Sequence, residues 1–179
     1  DCVISNADKV IVCLESRIAQ IGRKKNDGIV VLHNSPEYID CSDIDCKLTI
    51  TNRTRLVYVG ILQKGRLIEE MIDIVVNGEN LELHIAGFGE LETKIKRISE
   101  LNNNIKFYGK VSYKEAIQLE YECDIMTAIY DPKIPNHKYA APNKFYEALM
   151  LGKPLIVVQN TGVDNIIKNH GIGVVIQYN

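Results

Sequence analysis

Lys144 and Glu147 are the residues of this sequence best placed to do chemistry, because they open a helical pattern after a long loop that contains proline. The first backbone amides of a helix have no partner inside it, and together with the helix dipole they bind phosphate well. Lys144 could add a full positive charge there, and the Glu147 carboxylate could accept two hydrogen bonds from a vicinal diol such as a ribose. A capped helix whose charges face solvent explains the same local pattern equally well.

The elements that must position this helix alternate regularly from residue 56 onward. Apolar, β-branched runs predict strands, and apolar residues at helical spacing predict the helices between them. The predicted strands are 56–60, 81–86, 105–108, 124–130, 154–159 and 171–177, and the predicted helices are 66–77, 90–101, 113–123 and 143–151. This alternation predicts an α/β, Rossmann-like fold, a mostly parallel sheet with helices on both faces. Ligands bind such sheets beyond the carboxyl ends of the strands.

Residues 1–45 have a different organisation. Two short strands are predicted at 9–14 and 28–33, joined by a helical stretch at 15–25, and a polar connector follows. A boundary is therefore predicted near residues 45–52. A chain of 179 residues suits one domain with an appendage, since typical domains have about 100–150 residues.

Composition argues against several classes of protein. A formal net charge of −2 gives no reason to expect a nucleic-acid partner, and the one dense basic run, at residues 23–25, is typical of a solvated helix end. Five cysteines without a Cys-x-x-Cys pair indicate neither a disulfide framework nor a zinc site. No apolar run approaches the roughly 20 residues that cross a bilayer. We therefore expect a soluble, cytoplasmic protein with reduced thiols and no bound metal.

Two stretches, residues 124–132 and 139–158, resemble the donor-binding half of GT-B glycosyltransferases of family four, the group 1 transferases. The resemblance spans residues 56–179. It includes shorter matches that are specific through their order and spacing, at residues 58–60, 64–66, 84–89, 105–111 and 161–171. It implies that residues 46–179 are the C-terminal, donor-binding domain, and that residues 1–45 are the tail of an N-terminal acceptor domain with its linker. A C-terminally truncated fragment, inactive by itself, is then expected.

The resemblance also implies roles for individual residues. Glu147 would hold the ribose hydroxyls, and Lys144 with the amides near Pro142 and Asn143 would meet the diphosphate. Lys64 or Arg66 would stabilise the departing diphosphate, where fixed cations act best. The other implied donor contacts are glycines at strand ends and residues beside the base, namely Gly60, Gly87, Gly89, Lys110 and Val111.

Two positions depart from the family pattern. Family members commonly carry a second glutamate eight positions before the first, where this chain has Tyr139, and an arginine after the first-strand glycine, where it has Ile61. Lys64 and Arg66 are thus approximate substitutes for the basic pair. Among the histidines, His84 is predicted to be a core residue, and His137 is the one that could face substrate.

The function expected from the resemblance is retaining transfer of a hexose from a UDP- or GDP-sugar to a polysaccharide or lipid-linked acceptor, without a metal or other cofactor. Peripheral attachment of the full enzyme to the inner face of the membrane is compatible with it. The alternative is a non-catalytic α/β module that binds a nucleotide or a partner protein. A dinucleotide-binding domain is disfavoured, because the run from Gly87 to Gly89 lacks the third glycine of that fingerprint.

Overall fold

The computed structural model describes residues 2–22, 28–40, 44 and 46–178. The basic run predicted to end a helix, at residues 23–25, lies outside the described residues, as does part of the polar connector. Within the described part of the chain, no helix has the length and apolar character needed to span a membrane.

The strands and helices alternate along most of the chain. The strands are β1 (Val10–Val12), β2 (Ile29–Val31), β3 (Thr54–Ile61), β4 (Leu81–Phe88), β5 (Ile105–Phe107), β6 (Ile125–Ala128), β7 (Leu155–Val158) and β8 (Gly173–Ile176). The helices are α1 (Cys2–Ser5), α2 (Ser16–Gln20), α3 (Ile68–Asn77), α4 (Glu92–Leu101), α5 (Tyr113–Glu122), α6 (Asn143–Leu151) and α7 (Asp164–His170), and His137–Tyr139 forms a 3-10 turn. Six strands form one parallel sheet in the order β5-β4-β3-β6-β7-β8, while β1 and β2 form a separate parallel pair.

Helices cover both faces of the six-stranded sheet, as the alternating pattern predicts. Neighbouring residues on a strand point to opposite faces, and Tyr58 packs with α3 and α4 while Val57 packs with α5, α6 and α7. On α3 the buried residues Ile68, Ile72 and Val75 lie on one side, at the three- and four-residue spacing of a helix that packs through one stripe.

The strand order reverses between β3 and β6, and these two strands pair only briefly. β3 pairs with β4 along all eight of its residues, but with β6 at just Leu56 with Ile125 and Val57 with Met126. Beyond that point the Thr127 hydroxyl donates to the Val57 carbonyl oxygen at 2.8 Å. The carboxyl ends of β3 and β6 therefore part, and the loops that follow them form the two sides of a cleft, the usual ligand position in such sheets.

Two local differences from the predicted elements have clear causes. The helix predicted to start at Arg66 begins at Ile68, because Gly65 (φ +80) and Leu67 (φ +50) turn the chain before it. The helix α7 is absent from the prediction. Of its seven residues only Asp164 and Ile167 are buried, so its sequence carries too few apolar positions to show a helical period.

Candidate functional site

A lysine between two buried carboxylates forms the centre of the candidate site. The Lys144 ammonium lies 2.8 Å from Glu147 Oε2 on the same helix, α6, and 2.7 Å from Glu120 Oε1 on α5. Both glutamates are almost completely buried, at 2% exposed for Glu147 and 1% for Glu120. The alternative of charges that face solvent is therefore wrong for this helix.

The electrostatics of this cluster follow from one cation shared by two anions. Burial raises the pKa of Glu120 to about 7, Lys144 opposes that rise, and the negative charge of Glu147 adds to it. Burial works to lower the pKa of Lys144, but the two carboxylates outweigh it and the pKa is raised. Lys144 therefore stays protonated at neutral pH, and Glu120 is the group in the cluster that gains a proton on mild acidification.

The amino end of α6 opens towards a small polar pocket. Pro142 precedes the helix in an extended conformation, and no side chain caps this end. Asn34 donates to the Ala141 carbonyl oxygen at 3.2 Å and to Asn143 Oδ1 at 3.3 Å, which ties the segment after β2 to the start of the helix. The pocket measures about 190 Å³ and is lined by Asn34, Ser35, Pro36, Glu37, Tyr113, Asn143, Tyr146 and Glu147. A diol acceptor and helix amides thus border one cavity.

A second group of predicted residues lies at the carboxyl ends of β3 and β6. The Arg66 guanidinium lies 4.2 Å from the centre of the Tyr130 ring and donates to the Ile129 carbonyl oxygen at 3.2 Å. Lys64 is exposed, and its backbone amide donates to Glu90 at 2.8 Å. Burial raises the pKa of Tyr130, the charges of Arg66 and Lys144 oppose the rise, and Glu147 adds to it. The ionisation of Tyr130 is therefore sensitive both to the arginine and to the lysine–carboxylate cluster.

The three predicted glycines sit where two neighbouring strands end side by side. Gly60 and Gly87 are partners in the β3–β4 ladder, and a Cβ atom on Gly87 would overlap the Gly60 carbonyl oxygen. A Cβ on Gly89 would overlap the Leu62 carbonyl oxygen in the same way. Packing of the backbone therefore requires glycine at 87 and 89, whether or not a ligand approaches them.

Lys110 and Val111, the residues predicted beside the base, do not line the pocket at the start of α6. The Lys110 ammonium is 5.4 Å from the centre of the Phe88 ring. Val111 is half-buried and lines a separate pocket of about 260 Å³ with Tyr108 and Leu119. His137 contacts the Tyr130 ring edge-on at 5.2 Å, and its Nδ1 lies 3.0 Å from the Asp131 carbonyl oxygen. Tyr139 stacks with neither Tyr130 nor His137, and the Lys138 ammonium lies 5.9 Å from the centre of the Tyr139 ring.

Glu120 is the residue of the cluster that reasoning from the sequence missed. Its position three and four residues after Ile117 and Ala116, both buried, places it on the inward face of α5. A carboxylate at an apolar helical position was the available signal.

The prediction that His84 is a core residue is confirmed, since it is 2% exposed and its Nδ1 lies 2.8 Å from the Tyr108 hydroxyl. Among the described residues, no three His, Cys, Asp or Glu side chains form a group that could hold a metal ion.

Comparison with known proteins identifies the family. The family described as "Glycosyl transferases group 1" matches residues 53–179. The chain belongs to this family. A curated protein of Methanocaldococcus jannaschii, the uncharacterized glycosyltransferase MJ1069, is 26% identical over 145 residues, which are 76% of this chain and 36% of the relative.

Several solved structures share the fold of this chain. Alr3699/HepE of Anabaena in complex with UDP superposes with a TM-score of 0.69 at 18% identity, over 96% of this chain and 50% of that one. TarM of S. aureus, in complex with Fondaparinux, alpha-GlcNAc-glycerol and UDP, superposes with a TM-score of 0.66 at 14% identity, over 97% of this chain and 34% of that one. The fold is that of GT-B glycosyltransferases, and the chain spans a third to a half of the length of these proteins.

Proposed function

We propose that this chain forms the donor side of a glycosyltransferase and binds a nucleoside-diphosphate sugar at the pocket beside the amino end of α6. The observation that carries the proposal is the buried Glu147 carboxylate at the edge of a pocket that also receives the amino end of α6. Membership of the group 1 family and the complex of Anabaena HepE with UDP-glucose, similar at a TM-score of 0.67, support a nucleotide sugar as the ligand.

Each part of the donor has a complementary group in this arrangement. The Glu147 carboxylate accepts hydrogen bonds from the two ribose hydroxyls, and the amides at the start of α6 bind the diphosphate with the positive end of the helix dipole. Arg66 and Lys64 stabilise the negative charge that develops on the leaving nucleoside diphosphate. Fixed cations and helix amides, rather than a metal ion or another cofactor, carry this charge in the proposal.

The finer assignments follow the family resemblance. The donor is a UDP- or GDP-sugar, the hexose is transferred with retention, and the acceptor is a polysaccharide or lipid-linked sugar held by an N-terminal domain. The enzyme works in the cytoplasm, with peripheral attachment to the inner face of the membrane. Because this chain spans half or less of the solved relatives, turnover is expected from the full enzyme and donor binding from the chain itself.

Calorimetric titration with UDP, GDP, ADP and NAD tests the proposal on this chain. UDP or GDP should bind, and Glu147→Ala should weaken that binding by about 1–3 kcal/mol, the typical contribution of a hydrogen bond to a charged group. Glu100→Ala, which removes an exposed glutamate on α4, is the matched control and should bind like the wild type. Absence of heat with every nucleotide at millimolar concentration would refute the proposal, and unchanged affinity in folded Glu147→Ala would remove this residue from the site.

A further inference from the structure

The position of Lys144 is that of a counter-ion rather than a phosphate ligand. Its side chain is 19% exposed, and its ammonium is within 3 Å of Glu120 and Glu147 at once. Two of the three ammonium donors are used by these carboxylates, so any movement of the ammonium away from them towards a diphosphate would leave at least one carboxylate buried without a partner. Breaking a buried ion pair in this way is strongly unfavourable.

Glu120 has no route to a ligand of its own. It is buried on the inner face of α5 and is absent from the lining of the pocket that Glu147 borders. Oε1 receives the hydrogen bond from Lys144, whereas Oε2 is buried without a partner. A carboxylate without a partner at an apolar position is unfavourable for folding. The contact with Lys144 is therefore the interaction that compensates for the burial of Glu120, and it is also the link from Glu120 to the site.

We propose that Glu120 is a positioning residue for the nucleotide site, which anchors Lys144 beneath Glu147 so that the lysine orients the Glu147 carboxylate towards the ribose hydroxyls. Lys144 then acts on the ribose indirectly and does not bind the diphosphate. This inference rests on the proposed function, because it assigns a ribose to Glu147. It adds a residue on a second helix, α5, to a site formed by α6.

A ribose contact can be measured separately from a phosphate contact by comparing UDP with 2′,3′-dideoxy-UDP, which lacks both ribose hydroxyls. The two ligands differ by these two hydroxyls, and their hydrogen bonds to a carboxylate make UDP bind at least roughly tenfold tighter. Loss of the orientation of Glu147 should remove this preference. Loss of a phosphate ligand should instead weaken both nucleotides by the same factor.

Calorimetry with both nucleotides on Glu120→Ala and Glu120→Gln is the deciding experiment. In Glu120→Ala the affinity for UDP should fall at least roughly tenfold, while that for 2′,3′-dideoxy-UDP changes less than about twofold. Glu120→Gln keeps an oxygen that accepts from Lys144, so it should retain the preference for UDP. Glu100→Ala is again the control and should match the wild type.

A folded Glu120→Ala protein that keeps the preference, or that loses affinity for both nucleotides equally, would overturn the inference. If Glu120→Ala does not fold, as judged by circular dichroism, the double variant Glu120→Gln/Lys144→Met removes one charge of each sign and carries the same test. In that protein, loss of the preference at constant 2′,3′-dideoxy-UDP affinity supports the counter-ion role, and an equal loss for both nucleotides shows a phosphate ligand. Failure of the proposed function is distinct, because it shows as absent nucleotide binding in the wild type.

Discussion

Replacing Glu120 by glutamine should change how the stability of the protein depends on pH. Burial raises the pKa of Glu120 from its ordinary value of 4.5 to about 7 in the folded state. Between these two values the folded chain holds a proton that the unfolded chain has lost, so the free energy of unfolding falls as pH rises. Each pKa unit corresponds to about 1.36 kcal/mol, and the difference of roughly 2.5 units gives a loss of about 3 kcal/mol.

Glutamine does not titrate, so the variant lacks this contribution. Between pH 4.5 and pH 7.5 the free energy of unfolding of the wild type should fall by about 3 kcal/mol relative to that of Glu120→Gln. Most of this fall should be complete at pH 7. Burial also lowers the pKa of His84, but that residue contributes equally to both proteins and cancels in the difference. The comparison therefore reports the buried carboxyl together with its coupling to Lys144 and Glu147.

Urea unfolding at several pH values between 4.5 and 7.5 measures the difference directly. The chain contains no tryptophan, so far-ultraviolet circular dichroism is the suitable probe. Glu100→Gln, an exposed glutamate on α4, controls for the loss of a surface charge and should run parallel to the wild type. If the curves of wild type and Glu120→Gln are also parallel over this range, Glu120 does not hold its proton in the fold and the reasoning fails.

Two further predictions concern the packing that holds the site. Gly87→Ala should lower the free energy of unfolding by about 3 kcal/mol, because a Cβ there overlaps the Gly60 carbonyl oxygen. Gly152→Ala, at φ +64 but in open space, should lower it by only about 1 kcal/mol. Equal losses of the two variants in urea unfolding would contradict the packing argument. Ile72→Ala should lower the free energy of unfolding by about 2–5 kcal/mol, whereas Ile74→Ala on the same helix should change it by less than about 0.5 kcal/mol. The reason is burial, since Ile72 is 3% exposed and Ile74 is 63% exposed. Thermal melts in which Ile74→Ala is the less stable variant would refute the assigned face of α3.

The regular part of the fold could be predicted because local chemistry and tertiary packing agree there. α6 begins at Asn143 and ends at Leu151 as predicted, since Pro142 precedes it and Gly152 takes the left-handed conformation that stops a helix. The helix predicted at residues 113–123 is confirmed as Tyr113–Glu122, and a capping box precedes it in which the side chains of Ser112 and Glu115 accept from each other's backbone amides. The helix α7 was not predicted, because too few of its residues are apolar to show the spacing of a helix that packs through one face.

The candidate site could be predicted in part. Lys144 and Glu147 follow from a local pattern, because a charged pair at the start of a helix is visible in the sequence. Their burial and their link to Glu120 depend on how α5 packs against α6, which no local pattern contains. The assignment of Lys144 to the diphosphate stays a prediction, and the counter-ion role proposed above is its competitor.

The brief pairing of β3 with β6 has a consequence for the order in which the chain folds. β3, β4 and β5 meet through neighbouring segments, whereas β6 must return to β3 across a loop of about 60 residues, and the entropy lost in closing a loop grows with its length. Two register pairs, the Thr127 hydroxyl and the bonds between Arg55 and Asp124 join the strands, and these contacts form only after that loop has closed. We expect the two halves of the sheet, β5-β4-β3 and β6-β7-β8, to assemble first. The junction between β3 and β6, here called the seam, should then close last. The cleft is bounded by that seam, so it comes into existence with the final step of folding.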